Sequence, residues 1–177
     1  AVPARVVYVD NDPIVLAHSH AYLERSPAGR TTYVHGDLSD PEQILRRAAE
    51  VLDLAQPVAI VLAAVLHLLP DDQAPHDIVA RFVATVPVGS YLVASHLTPD
   101  FAPEAMADLS ARLNAAARET FVLRDKSAFE RFFAGLELVP PGVVQVDRWR
   151  PDDDVQPRAS GWTPGLYGAV GHKASAT

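Results

Sequence analysis

Arg5-Val6-Val7-Tyr8-Val9-Asp10-Asn11-Asp12-Pro13 decides how the rest of the chain is read. Val6–Val9 is an unbroken run of β-branched and aromatic residues, which predicts a short strand buried on both faces. The run stops at Asp10-Asn11-Asp12-Pro13, and helical spacing begins beyond it. Pro13 suits the first position of a helix and Asp12 its N-cap. Asp10 is left at the carboxyl end of the strand with no capping duty. In open α/β sheets ligands bind at that edge, and an acidic residue there commonly holds the two hydroxyls of a ribose. The alternative is a solvated turn aspartate.

The 177 residues suffice for one domain, 1–177, with a substantial core. Hydrophobic residues make up 49% and charged residues 21%, a globular rather than disordered composition. The net charge is −7 and the 15 Lys and Arg residues are scattered, which speaks against a basic nucleic-acid-binding face. The lack of cysteine excludes disulfides, thiolate metal sites and cysteine nucleophiles. The longest apolar run, Val58–Leu66, is about half of the ~20 residues a membrane helix needs, and no signal peptide opens the chain. The expectation is a soluble cytoplasmic protein.

After Asp12-Pro13, Leu16, His20 and Leu23 share one face of a helix running to about Arg25, and Ser26–Gly29 is a loop. Thr31–His35 reads as a second strand, ended by Gly36-Asp37-Leu38. Asp40-Pro41 opens a helix to about Leu54, with Ser39 as the other possible cap. Val58–Val65 is the most apolar strand and hence central, followed by the loop Leu66–Asp72. Val79, Phe82, Val83 and Val86 share a helical face, and Tyr91–Ser95 is a strand with His96 just past it. Pro103 opens a long helix on Met106, Leu109, Leu113 and Ala116; Ser127 and Glu130 cap a shorter one that stops at Gly135. Leu136–Val139, Val143–Trp149 and Leu166–Val170 have the short, alternating patterns of an antiparallel edge. The fold class is therefore α/β: a mostly parallel sheet with helices on both faces and an antiparallel C-terminal edge.

Two families share such an opening. VVYVDNDP resembles the first strand of a response-regulator receiver domain. The later strand that should carry the phosphoryl-accepting aspartate ends instead in Leu62-Ala63-Ala64-Val65, and no Lys-Pro follows a later strand. The order Asp10, then Gly36-Asp37-Leu38, then an apolar strand running into Leu66-His67-Leu68-Leu69-Pro70-Asp71 resembles Rossmann-like, class I S-adenosylmethionine-dependent methyltransferases. Tyr91–His96, Phe132–Val139, Pro141–Val144, Arg148–Pro151 and Tyr167–Gly171 resemble one actinobacterial family of presumed methyltransferases, formerly a domain of unknown function. Together these stretches cover nearly the whole chain. Two lysines against thirteen arginines suit a GC-rich coding sequence of that origin.

The resemblance implies roles for particular residues. Asp10 would bind the ribose hydroxyls of S-adenosylmethionine, with Asn11 and Ile14 bordering ribose and adenine. Asp37 would take the exocyclic amine of adenine and the Leu38 backbone N–H a ring nitrogen. Near Ala63 a backbone carbonyl would meet the methionine amine, with His67 beside it. Adjacent strands lie about 4.8 Å apart, so Asp10 and Asp37 can span one nucleoside; otherwise Asp37 is a turn aspartate. Asp12 and Asp40 are assigned to capping. His67 and His96 are candidate bases toward a small-molecule acceptor, or else hydrogen-bond loop backbone. His35 lies about three strand spacings, ~14 Å, from the strand before His67, which rules out a His35–His67–His96 metal site. Trp149, Trp162 and Tyr167 could line an acceptor pocket, but edge-strand aromatics more often serve packing.

One departure from the family pattern stands out. Its first strand and Gly-rich turn should precede Asp10, yet only Ala1–Ala4 are there, and none of the nine glycines forms G-x-G-x-x-G between a strand and a helix. That strand is central in the family's sheet, so its loss would split the core and bare two strand edges. The expectation is an upstream segment outside this sequence. A non-catalytic nucleotide-binding protein on the same scaffold and an NAD-dependent oxidoreductase stay open as alternatives, and the oligomeric state is not legible.

Overall fold

The computed structural model describes residues 5–15, 17–18, 31–116, 120–151 and 165–175. β1 (Val6–Asp10) and β2 (Thr31–His35) form where their β-branched runs predict, and pair in parallel with Asp10 opposite His35. Asp12 Oδ1 accepts the Ile14 N–H at 2.8 Å, as an N-cap should, and residues 13–15 and 17–18 are helical. The rest of that expected helix, the Ser26–Gly29 loop and Trp162 lie outside the described residues.

Asp40 rather than Ser39 caps α1 (Pro41–Ala48), its Oδ1 accepting the Gln43 N–H at 3.0 Å. This helix ends six residues before the expected Leu54, because the chain leaves through turns closed onto Arg47 and Ala48 carbonyls. β3 (Ala59–Leu62) is likewise shorter than read. α2 (Pro75–Thr85) buries Ile78, Val79 and Phe82 on the anticipated face. β4 (Tyr91–Leu97) extends two residues further than predicted, so His96 lies inside the strand rather than beyond it.

α3 (Pro103–Ala116) buries only Met106; Leu109 stays 40% exposed, against the expectation of a continuous apolar face. α4 (Lys126–Glu130) starts two residues early. Asp125, not Ser127, is its cap, accepting the Ala128 N–H at 2.7 Å. A 3₁₀ turn at Arg131–Phe133 follows, and Gly135, at φ +76°, ends the segment in the left-handed region.

β3 and β4 pair in parallel. β7 (Leu166–His172) runs antiparallel along the other edge of β4, and β5 (Glu137–Leu138) and β6 (Val144–Gln145) pair antiparallel with β7. Of the expected Val143–Trp149 strand, only the two residues of β6 are extended, and Val146–Arg148 is a 3₁₀ turn. The architecture is a Rossmann-like α/β fold with parallel pairs first and an antiparallel edge last. Its core gathers Leu66, Val79, Phe82, Leu92, Phe129 and Tyr167, and Ile44 joins α1 to it.

The sheet comes in two pieces, β1–β2 and β3–β4–β7 with β5 and β6. Among the described residues β1 and β3 therefore pair along one edge only. Their apolar side chains are more open than strands buried on both faces would be: Tyr8 is 50% exposed and Val61 61%. The expectation of a doubly buried first strand fails on this point, since nothing described covers its outer face.

β7 can sit between β4 and β5 only because its side chains are small where helical turns press on it. A Cβ at Gly171 would lie 2.8 Å from the Phe133 ring and 3.1 Å from Leu136 Cβ. Gly171→Ala is expected to cost about 1–3 kcal/mol by overpacking. Gly135→Ala, with open space but positive φ, should cost about 1 kcal/mol. Urea denaturation of the two variants checks this order.

Candidate functional site

Two clusters of polar groups stand at the carboxyl ends of the strands. At the first, β1 and β2 place Asp10 and Gly36-Asp37-Leu38 on one rim; the Gly36 N–H donates to the Asp10 carbonyl at 3.1 Å. Asp10 Oδ1 accepts the Asp12 N–H at 2.8 Å. Asp37 Oδ1 accepts both the backbone N–H and the hydroxyl of Ser39, at 2.8 and 2.6 Å. These local bonds aim each carboxylate while engaging one oxygen of each, and the second oxygens have no hydrogen bond to any described residue. The Ser39 bonds also hold the Asp37 carboxyl below its ordinary range, so it is ionised at neutral pH. Asn11 and Ile14 are exposed beside the rim and Leu38 packs partly onto the core. Ser39 was a helix-cap candidate in the sequence; its role in orienting Asp37 follows from the turn and has no spacing signature.

The second cluster begins where β3 ends. Ala63 is exposed, and Ala64 sits at φ +52° with its N–H donating to Ser95 Oγ at 2.9 Å. A left-handed alanine costs about 1–2 kcal/mol, and here the bond to β4 holds it. The turn Leu66–Leu68 then brings His67 against His96, with ring centroids 5.8 Å apart and edge-on.

His96 is fully buried, with both ring nitrogens engaged. Nδ1 lies 2.7 Å from the Leu97 carbonyl, and Nε2 lies 2.9 Å from Arg124 Nη1. A guanidinium only donates, so Nε2 accepts and Nδ1 carries the proton. Burial, with the Arg124 charge, lowers its pKa to about 4. The expectation of His96 as a base meets a geometry without a free lone pair.

His67 differs. It is 6% exposed, its Nδ1 is buried without a hydrogen-bond partner, and its ring stacks on Phe121. Burial first, then the Arg124 charge, lowers its pKa, so the ring is neutral and able to accept a proton.

Arg124 was missed in the sequence, where a lone arginine after Phe121-Val122-Leu123 carries no motif. Arg124 also lines a cavity of about 500 Å³ with Asp71, Pro75, His76, Asp125 and Arg131 among others, and neither His67 nor His96 belongs to that lining. Tyr167, considered for an acceptor pocket, is buried and donates its hydroxyl to Asp100 at 2.8 Å, a packing role. Trp149 stacks under Arg150.

Stability should fall as pH drops from about 6.5 toward 4. In that window the unfolded His96 binds a proton that the folded one refuses, a penalty approaching ~3 kcal/mol at the acid end. His67 adds in the same sense, whereas the lowered carboxyls of Asp37 and Asp71 lose their contribution only below about pH 4. Urea midpoints between pH 7.5 and 4.5 measure the slope, and His96→Gln should remove most of it.

Comparison with known proteins bears on the family and the fold. The family model described as S-adenosyl methyltransferase matches residues 1–174. A DUF574-family protein from Streptomyces avermitilis has 42% identity and a TM-score of 0.86, covering 97% of this chain and 66% of that one. A presumed methyltransferase from Thermobifida fusca has 35% identity and a TM-score of 0.85, with 97% and 64% coverage. The chain thus spans slightly under two thirds of these relatives' lengths. The N-methyltransferase NodS from Bradyrhizobium japonicum, at 14% identity and a TM-score of 0.56 over 97% of this chain and 74% of that one, shares the fold. No curated protein matches. Among the described residues no helix is long and apolar enough to cross a membrane. With the family's model running over almost its full length, this chain belongs to the S-adenosyl methyltransferase family.

Proposed function

We propose that the chain binds S-adenosylmethionine through Asp10 and Asp37 and serves methyl transfer to a small-molecule acceptor in the cytoplasm. The observation that carries this reading is the pair of oriented carboxylates on one rim of two adjacent parallel strands. Each keeps one oxygen without a described partner. In the proposal the Asp10 oxygen receives the ribose hydroxyls, and Asp37, already ionised, receives the adenine amine beside the Leu38 N–H. Asn11 and Ile14 border the nucleoside. Ala63, at the strained end of β3, offers its carbonyl to the methionine amine.

The cofactor supplies an electrophilic methyl group on sulfur; the protein orients it and holds the acceptor in line. His67, kept neutral by burial and the Arg124 charge, takes a proton if the acceptor must lose one. An NAD-dependent enzyme would use Asp10 equally, so Asp37 is the feature that discriminates against it; a cofactor-binding protein without activity would use both carboxylates, and product detection by mass spectrometry separates that reading.

Titration calorimetry with S-adenosylmethionine, S-adenosylhomocysteine and NAD tests this. Asp10→Ala and Asp37→Ala should each weaken binding of the first two tenfold or more, the loss expected for a hydrogen bond to a charged group. Asp12→Ala and Asp40→Ala should cost about 1 kcal/mol of stability and leave affinity unchanged. Binding of NAD alone, or indifference to both rim substitutions, overturns the proposal.

A further inference from the structure

Arg124 is the most heavily bonded side chain near the site. Its Nη1 donates to the Leu66 carbonyl at 3.2 Å and to His96 Nε2 at 2.9 Å. Its Nη2 donates to the Leu69 carbonyl at 2.9 Å and to Asp71 Oδ1 at 2.5 Å. The guanidinium lies 5.6 Å over the Phe132 ring, and the side chain is 3% exposed. The backbone of the same segment makes parallel ties: the Val122 N–H donates to the His67 carbonyl at 2.8 Å, and the Arg124 N–H to the Leu97 carbonyl at 3.2 Å.

A buried cation costs several kcal/mol unless its donors are satisfied. Here three of the four guanidinium bonds go to the Leu66–Asp71 turn and the fourth to the end of β4. A planar fork can reach all four acceptors at once; an ammonium on a flexible stem cannot. Among the described residues its one charged partner is Asp71, whose side chain is 77% exposed, so the pair is not a sealed ion pair that merely fills the core.

We propose that Arg124 is the positioning residue of this site: its guanidinium fastens the turn carrying His67 to the end of β4 and locks His96 as the Nδ1–H tautomer, leaving His67 as the one imidazole of the pair able to accept a proton. The tautomer lock stands on the geometry alone; the use of His67 toward an acceptor rests on the methyltransferase reading. The groups facing His67 are the Arg124 charge, the His96 ring and the Phe121 ring; those acting on His96 are Arg124, His67 and His76. A positive charge on that side, with burial, keeps both rings neutral.

Nitrogen-15 NMR of the histidine rings in the full chain tests the lock. In the unsubstituted protein His96 should be the Nδ1–H tautomer and show no titration above about pH 5. In Arg124→Met both His67 and His96 should titrate at higher pH. In Arg124→Lys the charge remains but the fork does not. His67 should then stay neutral at pH 7, while His96, still held as Nδ1–H by the Leu97 carbonyl, shows a shifted Nε2 resonance for want of its guanidinium donor, and the 66–71 amides exchange faster.

If Arg124→Met does not fold, Asp71→Ala, which removes only the exposed partner, should leave the His96 tautomer as it was. An Nε2–H tautomer in the unsubstituted protein overturns the proposal, as do Arg124 variants with unchanged histidine titration. Failure to bind S-adenosylmethionine would sink the functional reading and leave the tautomer result standing.

Discussion

β4 is paired along its whole length on one side, Tyr91–Leu97 against β7, and over four residues on the other, against β3. That double pairing is the constraint from which the rest of this structure follows. Alternation along the strand sends Leu92, Ala94 and His96 to the buried face, and Val93 and Ser95 to the other. An imidazole thereby enters a place where charge is expensive. The neutral, doubly bonded His96 is the result, with Arg124 supplying the donor that its Nε2 requires. Ser95, one residue earlier and facing the opposite way, accepts the N–H of Ala64 and so fixes the end of β3.

The two clusters have opposite electrostatic character. On β1 and β2 the carboxylates are near water and oriented by their own turns, and bonds from Ser39 favour the charged form of Asp37. At the ends of β3 and β4 the titratable rings are dry and kept neutral by burial and a neighbouring cation. An acidic rim suits hydroxyls and amines, and a neutral imidazole suits proton acceptance. The fold separates them with the break between β1 and β3, where each strand keeps one unpaired edge among the described residues.

Legibility followed the range of the interactions. The Asp12-Pro13 and Asp40-Pro41 starts, the second strand and the apolar face of α2 were readable because capping and periodicity act within a few residues. Misreadings came where two local signals competed. Ser127/Glu130 satisfied a capping pattern, but Asp125 reached Ala128 first. In Val143–Trp149 the alternation was real, yet only two residues found a partner along β7. The face of α3 beyond Met106 has the right period and little to pack against.

The sequence by itself determined the order of strands and helices, the two aspartates free of capping duty, and a mostly parallel sheet with an antiparallel end. These depend on residue type and spacing alone. Only the tertiary structure decided that Ser39 aims Asp37, that His96 spends both nitrogens internally, and that Arg124 ties the His67 turn to β4. Each of these joins atoms through a turn or across a sheet, up to 58 positions apart in the case of Arg124 and Leu66. A lone arginine's partners are chosen by where the strands end, which no local pattern records.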